Sequence, residues 1–181
     1  MDTTEEFEKT LARLSRRPSD VLARFILSLA FDGGPIEEHV QTFVCGEDVP
    51  AAAASIGARI RSLASHANSG SRAVYAAGEF VRRFGYILDA IDMLVLPDAP
   101  RAAFDLLVEL IECDRIGIEI CNDMDFELQT ECDRAAGLVE RAFEADPATA
   151  LLDRLEALVE EDDYGVRAEL ASFVRRRRPH G

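Results

Sequence analysis

The sequence lacks the features that mark a membrane-spanning, secreted or zinc-binding protein. No apolar run approaches the roughly eighteen residues that a membrane-spanning helix needs. A basic and then apolar leader with a small-residue cleavage site is also missing, so we expect a cytoplasmic protein with no membrane partner. The four cysteines form no Cys-x-x-Cys pair and the three histidines are not clustered, which argues against a zinc site. We expect Cys113, Cys121 and Cys132 to be buried thiols of the core.

The local signatures of catalytic sites are missing as well. The glycine-containing segment 68–71 has no lysine and therefore does not resemble a phosphate-binding P-loop. His39 and His66 have no nucleophile elbow nearby, and no Glu-x-x-His pair is present for a carboxylate metal site in a helical bundle. The sequence predicts no catalytic residue, no metal ligand and no cofactor. It favours a binding role over an enzymatic one without excluding the latter.

Basic residues are scarce relative to acidic ones. The chain has 20 Lys and Arg against 34 Asp and Glu, for a net charge of −14, and Lys9 is its only lysine. Such a charge repels phosphate backbones, so we do not expect direct binding of duplex nucleic acid. It favours instead a protein partner of basic character. The exception is the arginine run 175–178, which could contact a nucleic acid, a membrane or an acidic groove.

Apolar residues are abundant and recur at helical spacing. They make up 48% of 181 residues, enough for one domain with a sizeable core. The clearest segment predicts a helix of about 25 residues with a stripe every three or four positions. The stripe is Val74, Ala77, Val81, Phe84, Leu88, Ile91 and Val95. No stretch shows the sustained alternation of a half-buried strand, so the predicted class is all-α.

Eight or nine amphipathic helices account for most of the chain. Two short helices are expected around Phe7 to Leu14 and Ile36 to Val44, and a second helix begins at Ser19 or Asp20. Later helices are predicted over about 50–67, 101–120, 128–142, 151–158 and 166–173. Short connectors favour antiparallel neighbours, so we expect an irregular α-α superhelix or bundle. The predicted organisation is one helical domain over residues 1–174 followed by a basic C-terminal tail over residues 175–181.

Several short motifs resemble a bacterial helical-repeat family of unknown function. They are Val74 to Gly78, Leu88 to Ile91, Ala102 to Leu107, Asn122 to Asp125 and Asp162 to Val166. Members of that TPR/HEAT-like family occur alone or fused to SWIM zinc-finger regions. The resemblance implies a superhelical scaffold and supplies no catalytic residue. In the family the acidic turn usually continues with Gly-Glu, where this chain has Phe126-Glu127.

Two acidic turns are the candidate binding sites. Asp123 and Asp125 open a calcium-loop spacing, but Leu128 stands where that loop requires glycine. The second turn contains Asp162, Asp163 and Tyr164. We interpret these five residues as contacts for a protein partner.

Two functions remain open from the sequence. The first is a non-catalytic scaffold for protein interactions. The alternative is an acidic mimic of nucleic acid that occupies a basic site on a nucleic-acid-binding protein. The sequence also leaves open whether the chain forms a homo-oligomer.

Overall fold

The computed structural model describes residues 14–30, 48–68, 75–120 and 127–178, together with the single positions 12, 37, 40 and 44. By its contacts the chain divides into two units, Met1–Gln41 and Thr42–Gly181. In the first unit, helix α1 spans Ser19–Ala30. It starts where expected, directly after Pro18, whose carbonyl accepts hydrogen bonds from the amides of Val21 and Leu22 at 3.1 Å each.

The second unit contains seven helices within the described residues. They are α2 (Val49–Asn68), α3 (Tyr75–Leu94), α4 (Pro100–Ile111), α5 (Asp114–Ile120), α6 (Glu127–Ala145), α7 (Thr149–Glu160) and α8 (Ala168–Arg177). All regular elements in the described residues are helical, which confirms the predicted all-α class. The predicted short helices around Phe7 to Leu14 and Ile36 to Val44 lie largely outside those residues. None of the described helices is both long and apolar enough to span a membrane.

The helices of the second unit pack as an irregular bundle. The most extensive contacts join α4 to α6 and α2 to α3, and α8 lies against α6 and α7. In the described part of the predicted stripe, Phe84, Leu88, Ile91 and Val95 have no exposed surface and Val81 is half-buried, while Val74 lies outside the described residues. Burial of these side chains follows from the apolar periodicity of the sequence.

The structure corrects the prediction of one helix over residues 101–120. The chain forms α4 up to Ile111 and then turns before α5 begins at Asp114. In the turn, the amide of Cys113 donates to the carbonyl of Leu110 at 3.0 Å. This bond joins residues three positions apart, as in a 3₁₀-helix, and so closes a tighter turn than the four-residue spacing of an α-helix. The carboxylate of Asp114 is buried and binds Arg167 from another part of the chain. This long-range ion pair fixes the start of α5 and accompanies the break in the helix.

The C-terminal arginines also lie differently from the expectation of a separate tail. Helix α8 continues through Arg177, so the predicted boundary after residue 174 falls within a helix. Arg176 and Arg177 form ion pairs with Glu140 and Glu144 of α6. These ion pairs join the arginine end of α8 to α6.

Candidate functional site

The second predicted acidic site is a turn between α7 and α8, and we refer to residues 160–164 as the acidic turn. The carboxylate of Asp162 accepts three hydrogen bonds from backbone amides of this segment. Its Oδ1 atom accepts hydrogen bonds from the amides of Gly165 at 2.9 Å and Val166 at 3.1 Å. Its Oδ2 atom accepts one from the amide of Arg167 at 2.9 Å. The carboxylate of Asp162 is therefore engaged by the backbone of its own turn.

Gly165 allows the chain to reverse direction at this point. Its φ angle is 75°, in the left-handed region that residues with a Cβ atom rarely adopt. The Asp-x-x-Gly spacing of Asp162 and Gly165 is thus a sequence signal for this turn, because the carboxylate reaches amides three to five residues ahead. The backbone of the turn has a defined shape.

A buried ion pair anchors the turn to the rest of the bundle. Arg167 Nε lies 2.7 Å from Asp114 Oδ2, and Arg167 Nη2 lies 2.8 Å from Asp114 Oδ1. The guanidinium also donates through Nη1 to the carbonyl of Leu158. Only 7% of Arg167 and 2% of Asp114 is exposed. This bidentate ion pair connects the start of α5 with the start of α8. Its two residues are 53 positions apart in sequence.

The environment of Arg167 stabilises its charged form. Burial by itself lowers the pKa of Arg167, but the hydrogen bonds and negative charge of Asp114, together with the charge of Asp162, outweigh burial. The net result is a pKa above the ordinary value for arginine. Arg167 therefore remains charged, and its role here is to hold the turn in place.

The outer surface of the acidic turn faces solvent. Glu160, Glu161 and Asp163 are exposed, and Tyr164 exposes 49% of its surface. These three carboxylates form no ion pair with any residue that the structure describes. A partner that reaches the turn would thus meet three carboxylates next to one aromatic ring.

A second surface feature is a groove of about 440 Å³ between α3 and α6, lined by charged and apolar groups. Arg134 crosses it and forms ion pairs with Asp89 and with Glu131, the latter at 3.2 Å. Burial lowers the pKa of Arg134, but the hydrogen bond and charge of Asp89 outweigh that effect and leave the pKa raised. The groove is further lined by Val81, Arg82, Gly85, Tyr86, Glu127 and Thr130. Its central charged groups are therefore already engaged with one another.

No protein-family model, curated protein or solved structure matches this chain. The resemblance to a helical-repeat family therefore stays a prediction from short motifs.

The predicted site residues separate into three groups. Asp163 and Tyr164 lie on the exposed surface of the acidic turn, as a contact site requires. Asp162 belongs to the same turn, but its carboxylate is bound by backbone amides. Asp123 and Asp125 lie outside the described residues.

Sequence reasoning missed Asp114 and Arg167. The apolar pattern places Asp114 inside one predicted helix over residues 101–120. Nothing in the sequence sets Arg167 apart from the other arginines of the chain. Neither residue has a local sequence signal that distinguishes it from an exposed charge. Their pairing depends on how α4, α7 and α8 pack.

The described cysteines behave as predicted for core residues. Cys113 and Cys132 are buried and neither is in a disulfide, while Cys121 and Cys45 lie outside the described residues. Burial, followed by the charge of Glu109, raises the pKa of the Cys113 thiol from 9.0 to about 11. Cys113 is therefore protonated at neutral pH and is a poor nucleophile.

No cluster of three or more potential metal ligands occurs in the described portion of the chain.

Proposed function

We propose that the protein is a non-catalytic interaction scaffold that binds a basic segment of a partner protein at the acidic turn. The observation that carries the proposal is that one carboxylate of the turn binds the backbone while three neighbouring carboxylates remain exposed. Asp162 and the anchored Arg167 fix the backbone, while Glu160, Glu161 and Asp163 stay exposed beside Tyr164. A surface that is rigid before binding loses little conformational entropy when a partner docks.

The chemistry of the turn favours a basic partner. Exposed carboxylates attract Lys and Arg, and an exposed tyrosine ring adds a face on which a guanidinium can stack. The net charge of −14 extends this attraction beyond contact distance and accelerates encounter with a cationic segment. We therefore expect complex formation that weakens as salt is added.

The alternative of a nucleic-acid mimic has less support from the surface. Such a mimic needs rows of available carboxylates spaced like phosphates. In the second unit, many carboxylates are instead paired with arginines of neighbouring helices. These pairs are Asp89 with Arg134, Asp92 with Arg141, Asp105 with Arg154, Asp146 with Arg101, Glu109 with Arg61, Glu140 with Arg176 and Glu144 with Arg177. The unpaired carboxylates of the acidic turn cover a single short turn, whereas a mimic requires rows of them across the surface.

A binding titration with neutralised variants tests the proposal. The probe is fluorescein-labelled octa-arginine, and its dissociation constant is measured by anisotropy at low and moderate salt. Neutralising Glu161→Gln together with Asp163→Asn removes two exposed ion pairs, each worth about 0.5 kcal/mol, so binding should weaken about fivefold. Tyr164→Ala should weaken it further.

A matched control separates local binding from overall charge. Asp48→Asn with Asp98→Asn removes two other exposed carboxylates and changes the net charge equally. We expect this control to change the dissociation constant less than about twofold, because distant exposed charges are largely screened. Equal weakening by both double variants would contradict a binding site at the turn.

Capture from the native lysate then tests the nature of the partner. Tagged protein is incubated with nuclease-treated lysate, and bound proteins are identified by mass spectrometry for the native chain and for the Glu161→Gln, Asp163→Asn variant. The scaffold proposal expects a protein that the variant loses and that added DNA leaves bound. A nucleic-acid-binding partner that excess DNA displaces would instead support the mimic.

A further inference from the structure

The arginine end of α8 lies on a set of four carboxylates that we refer to as the carboxylate face. It consists of Glu140 and Glu144 on α6 and Asp153 and Glu156 on α7. Arg176 lies 3.2 Å from Glu140, and Arg177 pairs with Glu144. Arg178 pairs with Asp153 and lies 3.0 Å from Glu156. Three consecutive arginines thus reach two helices.

These ion pairs are open to solvent. The side chains of the three arginines are 38–56% exposed, and those of the four carboxylates are 35–63% exposed. Ion pairs with that exposure are individually weak and screened by salt, so their partners can be exchanged. The guanidinium carbons of Arg176 and Arg177 also lie 6.0 and 5.6 Å from the centroid of the Phe173 ring. The arginine end is therefore held by ion pairs and cation–π contacts, both of which a competing guanidinium can replace.

The remainder of α8 is attached by different contacts. Leu170 and Phe173 are buried, and the Phe173 ring packs edge-on against Phe143 with centroids 5.6 Å apart. The buried pair of Arg167 with Asp114 fixes the start of the same helix. The arginine end can consequently leave the carboxylate face while the preceding turns of α8 remain in the core.

We propose that the carboxylate face is a docking surface for a basic helix of a partner protein, which the arginine end of α8 occupies in the free protein. The seated arginines show the chemistry that fits, namely guanidinium groups on successive residues of a helix. The inference rests on the proposed function in assuming a basic partner, and it adds a second surface that the chain itself covers. An incoming basic helix takes over the carboxylates and displaces Arg176 to Arg178.

The experiment removes the covering arginines in the full chain. The variant carries Arg176→Gln, Arg177→Gln and Arg178→Gln. The probe is a fluorescein-labelled peptide that copies residues 166–178, and binding is followed by anisotropy. Exposing the carboxylate face should tighten binding of the peptide about fivefold or more, because four exchangeable ion pairs no longer compete.

A matched control accounts for the change in net charge. Arg61→Gln, Arg82→Gln and Arg115→Gln remove three arginines that are 65–67% exposed and lie outside α8. This control should tighten peptide binding less than about twofold. Adding Glu140→Gln, Glu144→Gln, Asp153→Asn and Glu156→Gln to the α8 variant should abolish its gain. Equal gains in the α8 variant and the control would overturn the proposal, as would a gain that survives neutralisation of all four carboxylates.

Hydrogen exchange on the native chain gives an independent readout. Saturating octa-arginine should accelerate exchange at the amides of residues 175–178 about fivefold or more, while those of Leu170 and Phe173 stay protected. Unchanged exchange at residues 175–178 under saturation would also overturn the proposal.

The two proposals fail in different ways. If the acidic-turn variant binds octa-arginine about fivefold more weakly while the α8 variant behaves like its control, the proposed function stands and the covered docking surface is refuted. If the α8 variant gains affinity and neutralising the acidic turn has no effect, the covered docking surface stands and the acidic turn is not the binding site.

Discussion

Removal of the Arg167 guanidinium should destabilise the fold far more than removal of an exposed arginine. Arg167→Met keeps most of the aliphatic stem but leaves the carboxylate of Asp114 buried without its partner. Breaking a buried pair in this way costs about 3 kcal/mol. For an unfolding free energy of about 5–15 kcal/mol, that is a large share of the stability of a domain.

Urea denaturation followed by circular dichroism measures the effect. With a denaturant dependence of about 2 kcal/mol per molar, a loss of about 3 kcal/mol lowers the midpoint by about 1.5 M. Arg101→Met is the matched control, because Arg101 pairs with Asp146 at 2.9 Å but both side chains are nearly half exposed. The control should cost about 0.5 kcal/mol.

A double-mutant cycle identifies the cause. Asp114→Asn together with Arg167→Met removes the unpaired charge, so the double variant should be more stable than the sum of the single effects predicts. If the losses of unfolding free energy in Arg167→Met and Arg101→Met differ by less than about 1 kcal/mol, the ion pair does not anchor the acidic turn.

Two further predictions concern the core. Gly117→Ala should destabilise the protein by about 2 kcal/mol in urea denaturation, because an added Cβ would lie 2.9 Å from Leu128 Cδ2 and closer still to the Phe80 ring. Gly137→Ala should instead stabilise α6 by about 0.5–1 kcal/mol, because a Cβ at this position meets no side chain and no other segment within 4 Å. A loss of stability at both glycines would refute the steric explanation. The Cys113 thiol ionises near 9.0 in an ordinary environment and near pH 11 in the fold, so the folded state keeps its proton longer and stability should fall as the pH rises through that window. Comparing the native chain with Cys113→Ala at several pH values isolates this contribution, and identical slopes would contradict the raised pKa.

Apolar periodicity was sufficient to predict most of the helices. The stripe of α3 and the limits of α2 and α6 follow from the spacing of side chains along each segment, because burial of one helix face is a local pattern. The break between α4 and α5 could not be predicted in this way. It coincides with a contact between Asp114 and Arg167, which are 53 positions apart, and the apolar pattern continues across it.

The candidate site was predictable to a similar degree. Exposure of Asp163 and Tyr164 follows from their place in an acidic segment between two helices. The different role of Asp162 depends on the positive φ of Gly165 and on amides three to five residues ahead. The docking of Arg176 and Arg177 on α6 required knowledge of which helices are neighbours, and sequence patterns do not supply that.

The anchoring of the acidic turn by Asp114 makes it a conformational epitope rather than a linear one. A peptide that copies residues 160–167 contains Asp162 and Gly165 but lacks Asp114 and the Ile111 end of α4, which belong to a distant part of the chain. An antibody or a partner selected for the shape of this turn therefore recognises the folded bundle. Recognition of this kind distinguishes native chains from unfolded ones, although both carry the same carboxylates.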